Sequence, residues 1–102
     1  MNTITIVNLK GHRGSCIRVD RSTPLGNPFV MRSESERNMV CERYASHFWA
    51  EVAKTGSAVN VAANKLADEY RKGNVTLACW CYPKRCHSET IRNWLLATVT
   101  TS

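Results

Sequence analysis

The sequence predicts an α/β domain with a mainly parallel sheet, Rossmann-like and built in two or three layers. Short runs of β-branched and apolar residues alternate with longer segments whose apolar residues recur at helical spacing. Strands separated by helices favour a parallel sheet, because two parallel strands need a long crossover between them. At this length, the chain is expected to form a single domain over residues 1–102.

Three segments are predicted to be strands. The first runs from Thr3 to Leu9, is rich in β-branched residues, and is ended by Gly11. A short run of alternating polarity, Cys16 to Val19, gives the second, and the third is Val75 to Cys81. After the second strand, Arg21 to Pro28 contains two prolines and one glycine, which predict a constrained loop.

Three helices are predicted from the spacing of apolar residues. The first opens with the S-x-x-E pattern of a capping box at Ser33–Glu36 and ends before Gly56. Its apolar face comprises Val40, Cys41, Tyr44, Ala45, Phe48, Trp49 and Val52. The second helix begins near Ser57 and ends at Gly73, with a stripe of Val59, Ala62, Ala63, Leu66 and Tyr70. The third begins near Ser88, turns Ile91, Leu95 and Val99 inward, and is followed by a tail, Thr100–Ser102, that is expected to be frayed.

The composition is that of a basic protein. The chain has 14 Lys and Arg against 8 Asp and Glu, a net charge of +6. This excess favours polyanionic partners such as nucleotides or nucleic acid, although it can also serve solubility alone. No apolar stretch reaches the length of a membrane span and no secretory signal is apparent, so a cytoplasmic protein without membrane association is expected. The odd count of five cysteines then favours free thiols or metal ligands over disulfides.

The most informative segment is Cys79 to His87, between the last predicted strand and the last predicted helix. It holds three of the five cysteines and one of the three histidines. Residues two apart on a strand share a face, so Cys79 and Cys81 are expected to point the same way. Cys86 and His87 lie at a helix N-terminus, where unpaired amides favour anions and lower the pKa of a thiol.

Two kinds of thiol chemistry fit this segment. A tetrahedral zinc site would use Cys79, Cys81, Cys86 and His87, although adjacent ligands rarely close on one ion. A thiol enzyme would use Cys86 or Cys81 as the nucleophile, served by His87. The C-x₅-R spacing from Cys79 to Arg85 also occurs in phosphatase-type loops, but Pro83 removes one of the amides such loops use. Cys79 taken alone is expected to be a small buried hydrophobic residue.

A third hypothesis is a binding pocket without covalent chemistry. Helix amides together with Lys84 and Arg85 would hold a phosphate, and an aromatic ring would hold a base. Open parallel sheets bind ligands beyond the carboxyl ends of their strands, where the loop after the first strand and the cysteine segment are both expected to lie. The Leu25–Phe29 loop is expected to face the cysteine segment across this cleft. The candidate ligand-binding residues are Asn8, His12, Arg13, Arg21, Gly26, Asn27, Lys84 and Arg85.

Three motifs resemble those of a known family. They are V-N-L at Val7–Leu9, P-L-G-N-P-F at Pro24–Phe29, and C-W-C-x-P-x-x-C-H at Cys79–His87. In this order they resemble small phage and bacterial proteins grouped as the domain of unknown function family numbered 4326. The resemblance implies a phage or mobile-element context and one compact α/β domain, but no established activity. Arg85 is not part of the family pattern, which weakens the phosphatase comparison.

The function expected from the sequence is binding of a nucleotide or other phosphorylated ligand, or of nucleic acid, in a basic cleft containing Cys and His. The first alternative is a thiol-dependent enzyme that uses Cys86 or Cys81 with His87. The second is a zinc-stabilised module that contacts a host protein or nucleic acid. No cofactor is predicted, with zinc as the alternative, and the sequence leaves the oligomeric state open.

Overall fold

The sheet of the protein has three parallel strands in the part of the chain that the computed structural model describes, residues 2–99. They are β1 (Ile4–Asn8), β2 (Ile17–Arg18) and β3 (Val75–Cys79), in the order β1-β3-β2. β3 is central, and its register pairs Cys79 with Asn8 on one side and Ala78 with Arg18 on the other. The predicted α/β class with a parallel sheet is confirmed, and the carboxyl ends of all three strands lie at one edge.

The third strand ends two residues earlier than the sequence predicts. β3 stops at Cys79, where its last partner Asn8 also ends β1. Beyond that point the Asn8 side-chain amide donates to the carbonyls of Trp80 at 3.2 Å and Tyr82 at 2.7 Å. The chain therefore leaves the sheet at Trp80. The prediction that Cys79 and Cys81 share one face of a strand is wrong, because Cys81 lies in the loop.

Three α-helices cover the sheet within residues 2–99. They are α1 (Arg37–Val52), α2 (Ala58–Lys72) and α3 (Ser88–Val99), and a single 3-10 turn at Glu34–Glu36 precedes α1. The three helices pack against one another, and α3 also packs on β3. The tail expected to be frayed, Thr100–Ser102, lies outside the described residues. No helix in the described part of the chain has the length and hydrophobicity needed to cross a bilayer.

The helix starts show one wrong prediction and one confirmed prediction. Ser33 makes no capping bond from its side chain; its hydroxyl contacts that of Ser35, and Glu36 accepts from the Arg32 amide instead. The capping box is therefore absent, and a 3-10 turn takes its place. Ser57 does cap α2, because its hydroxyl accepts from the backbone N–H of Asn60 at 3.0 Å.

The core is formed where the helices meet the sheet. α1 buries Val40, Cys41, Tyr44, Phe48 and Val52, as its spacing predicts. Trp49 was also expected to face inward, but it is 47% exposed, because it lies at the edge of the i, i+4 stripe. Trp94 of α3 is buried instead and packs edge-on against Phe48, with ring centroids 5.9 Å apart.

Candidate ligand-binding cleft

A cleft of about 490 Å³ lies beyond the carboxyl ends of β2 and β3. Residues that directly follow β2, residues that directly follow β3, and the start of α1 form its walls. The lining residues are Asp20, Arg21, Asn27, Phe29, Val30, Met31, Arg37, Val40, Cys41, Trp80, Cys81, Arg85, Cys86 and His87. This is the edge at which open parallel sheets bind ligands. As predicted, the segment after β3 and the loop around Asn27 face one cleft.

Asp20 is the polar centre of the cleft wall, and the sequence analysis did not select it. Its side chain is 8% exposed and forms an ion pair with Arg18 at 2.6 Å. The same carboxylate accepts from the Ser22 amide at 3.2 Å and from the Ser22 hydroxyl. The hydrogen bond from Arg18 is the main reason that the pKa of Asp20 lies well below its ordinary value. An acidic residue followed by Ser and Thr after a strand is the only sequence signal for this turn.

Trp80 forms an exposed aromatic surface whose position is fixed. Its side chain is 57% exposed and lines the cleft. The indole Nε1–H donates to Asp20 Oδ2 at 2.9 Å, so the buried carboxylate holds the ring at the cleft edge. A large aromatic side chain that is both exposed and anchored by a buried charge is unusual for a purely structural residue.

The loop around Asn27 is held from both ends. Arg21 donates through Nε to the carbonyl of Asn27 at 2.9 Å and through Nη2 to that of Phe29 at 3.0 Å. The buried Tyr44 hydroxyl donates to the carbonyl of Leu25 at 2.7 Å. The Asn27 side-chain oxygen accepts from the Phe29 amide at 2.8 Å, which closes the turn. These bonds keep Arg21 and Asn27 at the cleft wall.

Gly26 has a packing role and does not line the cleft. A Cβ at this position would lie 2.4 Å from the Asp20 carbonyl oxygen and 2.5 Å from the Arg21 Cα. Only a glycine allows the loop to pack this closely against residues 20–21. Gly26 was predicted as a ligand-binding residue, whereas the structure shows it packed against residues 20–21 and outside the cleft lining.

Three guanidinium groups line the cleft. Arg37 is paired with Glu34 at 2.8 Å and also donates to the carbonyl of Arg85 at 2.9 Å. Arg85 donates to the Asn38 side-chain oxygen at 3.1 Å, and Arg21 donates to the loop carbonyls described above. Neither Arg21 nor Arg85 forms an ion pair with a carboxylate among residues 2–99. Arg37 was not identified from the sequence, because nothing in its helix pattern distinguishes it from other surface arginines.

The buried thiols form a compact cluster behind the cleft. The Sγ atoms of Cys79 and Cys86 are 2.9 Å apart, and the Cys86 sulfur lies 3.2 Å from the Ser88 hydroxyl. His87 Nε2 is 2.5 Å from the Val19 carbonyl oxygen, and its Nδ1 is 3.6 Å from the Cys86 sulfur. Because a carbonyl can only accept, Nε2 carries the hydrogen, and in the neutral ring Nδ1 is an acceptor facing Cys86.

The thiol protonation differs from that predicted. The Cys86 S–H donates to Cys79, which lowers the pKa of Cys79 and raises that of Cys86; burial raises the latter further. The Ser88 amide does lower the pKa of Cys86, as expected, but the hydrogen bond to Cys79 and burial outweigh it, so the net shift is upward. Cys79 is fully buried, as expected, but it accepts a hydrogen bond rather than acting only as an apolar residue. Burial also lowers the pKa of His87, which favours its neutral form.

The structure gathers only part of the predicted site. Arg21, Asn27, Cys81, Arg85, Cys86 and His87 line the cleft. Asn8 donates to the backbone of the loop after β3, and Lys84 pairs with Glu34 at 3.2 Å. His12 is partly exposed and Arg13 is exposed, and neither is among the residues that line the cleft. Within residues 2–99, no group of three or more Cys, His, Asp or Glu side chains is arranged to hold a metal ion. Of the four predicted zinc ligands, Cys79, Cys86 and His87 lie in the buried cluster, and Cys81 lies in the loop after β3.

The fold and the cleft define a small α/β domain with a candidate ligand site at the carboxyl edge of a parallel sheet. A family model described as a domain of unknown function (DUF4326) matches residues 7–97, which is most of the chain. The protein belongs to this family, and the resemblance predicted from the three motifs is confirmed. No curated protein and no solved structure matches the chain.

Proposed function

We propose that the cleft binds a nucleotide, or another phosphorylated ligand that carries a flat ring. One observation carries the proposal: Arg21 and Arg85 face the cleft beside Trp80 without a carboxylate partner among residues 2–99. A guanidinium group presents a planar set of donors that matches the oxygens of a phosphate. The cleft volume of about 490 Å³ lies within the range of small-molecule sites.

The charge balance of the cleft favours an anionic ligand. Two of the charges that line it are already neutralised, because Asp20 pairs with Arg18 and Arg37 pairs with Glu34. The remaining charges come from Arg21 and Arg85, and both are positive. A cleft lined by one sign of charge concentrates ligands of the opposite sign.

We assign the amides of α3 a smaller part in phosphate binding than the helix N-terminus predicts. The backbone N–H of Cys86 donates to the Glu89 carboxylate at 3.2 Å. This carboxylate in the first turn of α3 competes with any anion for the positive end of the helix. Phosphate recognition is therefore assigned to Arg21 and Arg85, and Trp80 supplies a face on which a base can stack.

Nucleotide titration tests the proposal. We expect adenosine triphosphate to quench Trp80 fluorescence in the wild type, and binding to weaken as salt is added, because the phosphates are screened. Arg85→Ala should lower the affinity about tenfold, the loss expected for about 1.4 kcal/mol from one charged hydrogen bond. Arg21→Lys, which keeps the charge but loses the two donors that hold the Asn27 and Phe29 carbonyls, should weaken binding less than Arg21→Ala.

Arg13→Ala is the matched control for these variants. It removes the same charge from an exposed loop that does not line the cleft. If Arg13→Ala and Arg85→Ala weaken binding equally, the affinity comes from net charge and not from the cleft. If no nucleotide or oligonucleotide binds at low salt, the positive charge serves solubility alone.

The second candidate function is a thiol-dependent enzyme. It is favoured by the neutral His87, whose Nδ1 faces the Cys86 sulfur at 3.6 Å, and by the partly exposed Cys81 in the cleft wall. The raised pKa of Cys86 counts against it. Alkylation with iodoacetamide at neutral pH tests it: an enzyme of this type requires Cys81 or Cys86 to react much faster than an unfolded cysteine, and equal rates would exclude it.

We also propose, from the motif resemblance, that the protein comes from a phage or mobile element and acts in the host cytoplasm. Two observations test this. Phage structural or integration genes beside its gene would support the origin, and a chromosomal setting without such genes would contradict it. Recovery of the protein in the membrane fraction or the medium would contradict the location.

A further inference from the structure

Cys79 and Cys86 form a thiol pair that the proposed binding function does not use. Their sulfur atoms are in contact at 2.9 Å, although both cysteines are free thiols. Cys79 ends β3, and Cys86 lies two residues before the start of α3, so the pair spans the base of the loop that carries Trp80 and Arg85. Among residues 2–99, Cys79 and Cys86 are the cysteines whose sulfur atoms lie within hydrogen-bonding distance of each other.

We infer that Cys79 and Cys86 are a site of reversible oxidation, at which a low-molecular-weight disulfide converts the two thiols into an intramolecular disulfide. The inference is independent of nucleotide binding, because it depends only on the contact between the two sulfurs and on the position of Cys86, but not Cys79, in the cleft wall. Reversible disulfides inside cells are typically regulatory or catalytic and need a thiol that a reagent can reach.

The burial of the two residues sets the order of the steps. Cys79 is completely buried, whereas Cys86 is 4% exposed and lines the cleft, so Cys86 is the thiol on the side from which a reagent enters. Once it has lost its proton, Cys86 attacks one sulfur of the reagent disulfide, the mixed disulfide forms, and the first reagent thiolate leaves; the raised pKa of Cys86 makes this step slow at neutral pH. Cys79 then attacks the Cys86 sulfur, which is already in contact with it, and the second reagent thiolate leaves.

The reaction balances without another reactant. The two protein thiols lose two protons and two electrons as the protein S–S bond forms. The reagent S–S bond accepts the electrons, and the two protons end on the two released reagent thiols. The new bond would join the end of β3 to the start of α3. It would close the loop that holds Trp80, Cys81 and Arg85 at the cleft.

The experiment exposes the native, reduced protein to hydroxyethyl disulfide, blocks the remaining thiols with N-ethylmaleimide, and maps the peptides by mass spectrometry. The expected product carries a Cys79–Cys86 cross-link, while the other three of the five cysteines carry either the blocking group or a reagent adduct. A reducing agent should reverse the cross-link. In denaturant the pairing should lose its selectivity, because the contact between the two sulfurs is lost.

Three variants distinguish the proposed order from random oxidation. Cys79→Ala should leave a stable reagent adduct on Cys86, because the resolving thiol is gone. Cys86→Ala should leave Cys79 unmodified in the native protein, because it is buried. Cys16→Ala, the matched control, should still form the cross-link, since Cys16 is partly exposed and outside the cluster.

Results on the wild type alone can overturn the inference, even if a variant fails to fold. Recovery of both Cys79 and Cys86 as free thiols from native protein whose exposed cysteines have reacted would contradict it. A cross-link from Cys86 to Cys81 or Cys41 in place of Cys79 would contradict it as well.

Discussion

Two loops of this protein follow the ends of the two outer strands and contain positively charged residues, but only one of them lines the cleft. Residues 9–15 follow β1 and contain Lys10, His12 and Arg13, whereas residues 19–29 follow β2 and contain Arg21. Each was expected from the sequence to supply ligand-binding side chains. Of the two, it is residues 19–29 that contribute to the cleft wall.

Hydrogen bonding explains the difference. Residues 19–29 are organised by the buried carboxylate of Asp20, by the two bonds from Arg21 and by the Tyr44 hydroxyl. In residues 9–15, the Leu9 amide bonds the Cys79 carbonyl at 2.8 Å and the Lys10 amide bonds the Asn8 side chain, while the tip has a long contact of 3.5 Å between His12 and the Ser15 carbonyl. Charge alone therefore does not identify a site, because a binding side chain must also be held in place.

The largest expected effect is a loss of stability when one methyl group is added to residues 19–29, compared with the same addition to residues 9–15. Gly26→Ala should destabilise the protein by about 3 kcal/mol, because its Cβ would lie 2.4 Å from the Asp20 carbonyl oxygen and backbone atoms must move. Gly11→Ala is the matched control, since a Cβ there meets nothing within 4 Å, and its effect should stay within about 0.5 kcal/mol. Denaturant unfolding measures both. Equal effects would show that residues 19–29 are no more tightly packed than residues 9–15.

A somewhat smaller effect is expected from the carboxylate at the centre of the organised loop. Asp20→Asn should cost about 2 kcal/mol, because the charged acceptor for Arg18, Ser22 and Trp80 is lost. The Trp80 indole N–H resonance should shift in the same variant. Asp68→Asn, which removes an exposed ion pair on α2, should cost less than about 0.5 kcal/mol. If Asp20→Asn were as stable as the wild type, Asp20 would not be the polar centre of the cleft wall.

The smallest expected effect is the change with pH in the stability that the buried imidazole of His87 contributes. The pKa of His87 is lower in the folded protein than its ordinary value of 6.5, so the unfolded chain binds the proton more strongly. The contribution of His87 to stability is therefore complete above pH 6.5 and is lost as the pH falls below it. His87→Gln should reduce the slope of stability against pH between about 6.5 and 5. A slope that persists undiminished in His87→Gln would assign it to another group.

Patterns of apolar residues predicted most of the fold. The helices around Tyr44, Leu66 and Leu95 and the strand at Leu77 follow from spacing, because burying one face of an element requires a periodic sequence. The end of β3 could not be found in this way. It depends on where the neighbouring strand stops, and Asn8 ends the pairing at Cys79.

The candidate site was predicted only in outline. The motifs placed the cleft between the segment after β3 and the loop around Asn27, because both follow strand ends. Asp20 and Arg37 were missed, since their roles arise from contacts with Trp80 and Arg85, which are distant in sequence. His12, Arg13 and Lys84 were included for their charge, and the structure does not place them at the cleft.

The most direct test of the central claim is a titration of ¹⁵N-labelled protein with adenosine triphosphate, followed by NMR. The chain has three tryptophans, so the indole N–H of Trp80 can be compared with those of Trp49 and Trp94. We predict that the Trp80 indole and the amides of Arg21 and Arg85 shift with saturation, while residues 9–15 do not. Shifts confined to residues 9–15, or no shifts at low salt, would contradict the claim that this cleft is the binding site.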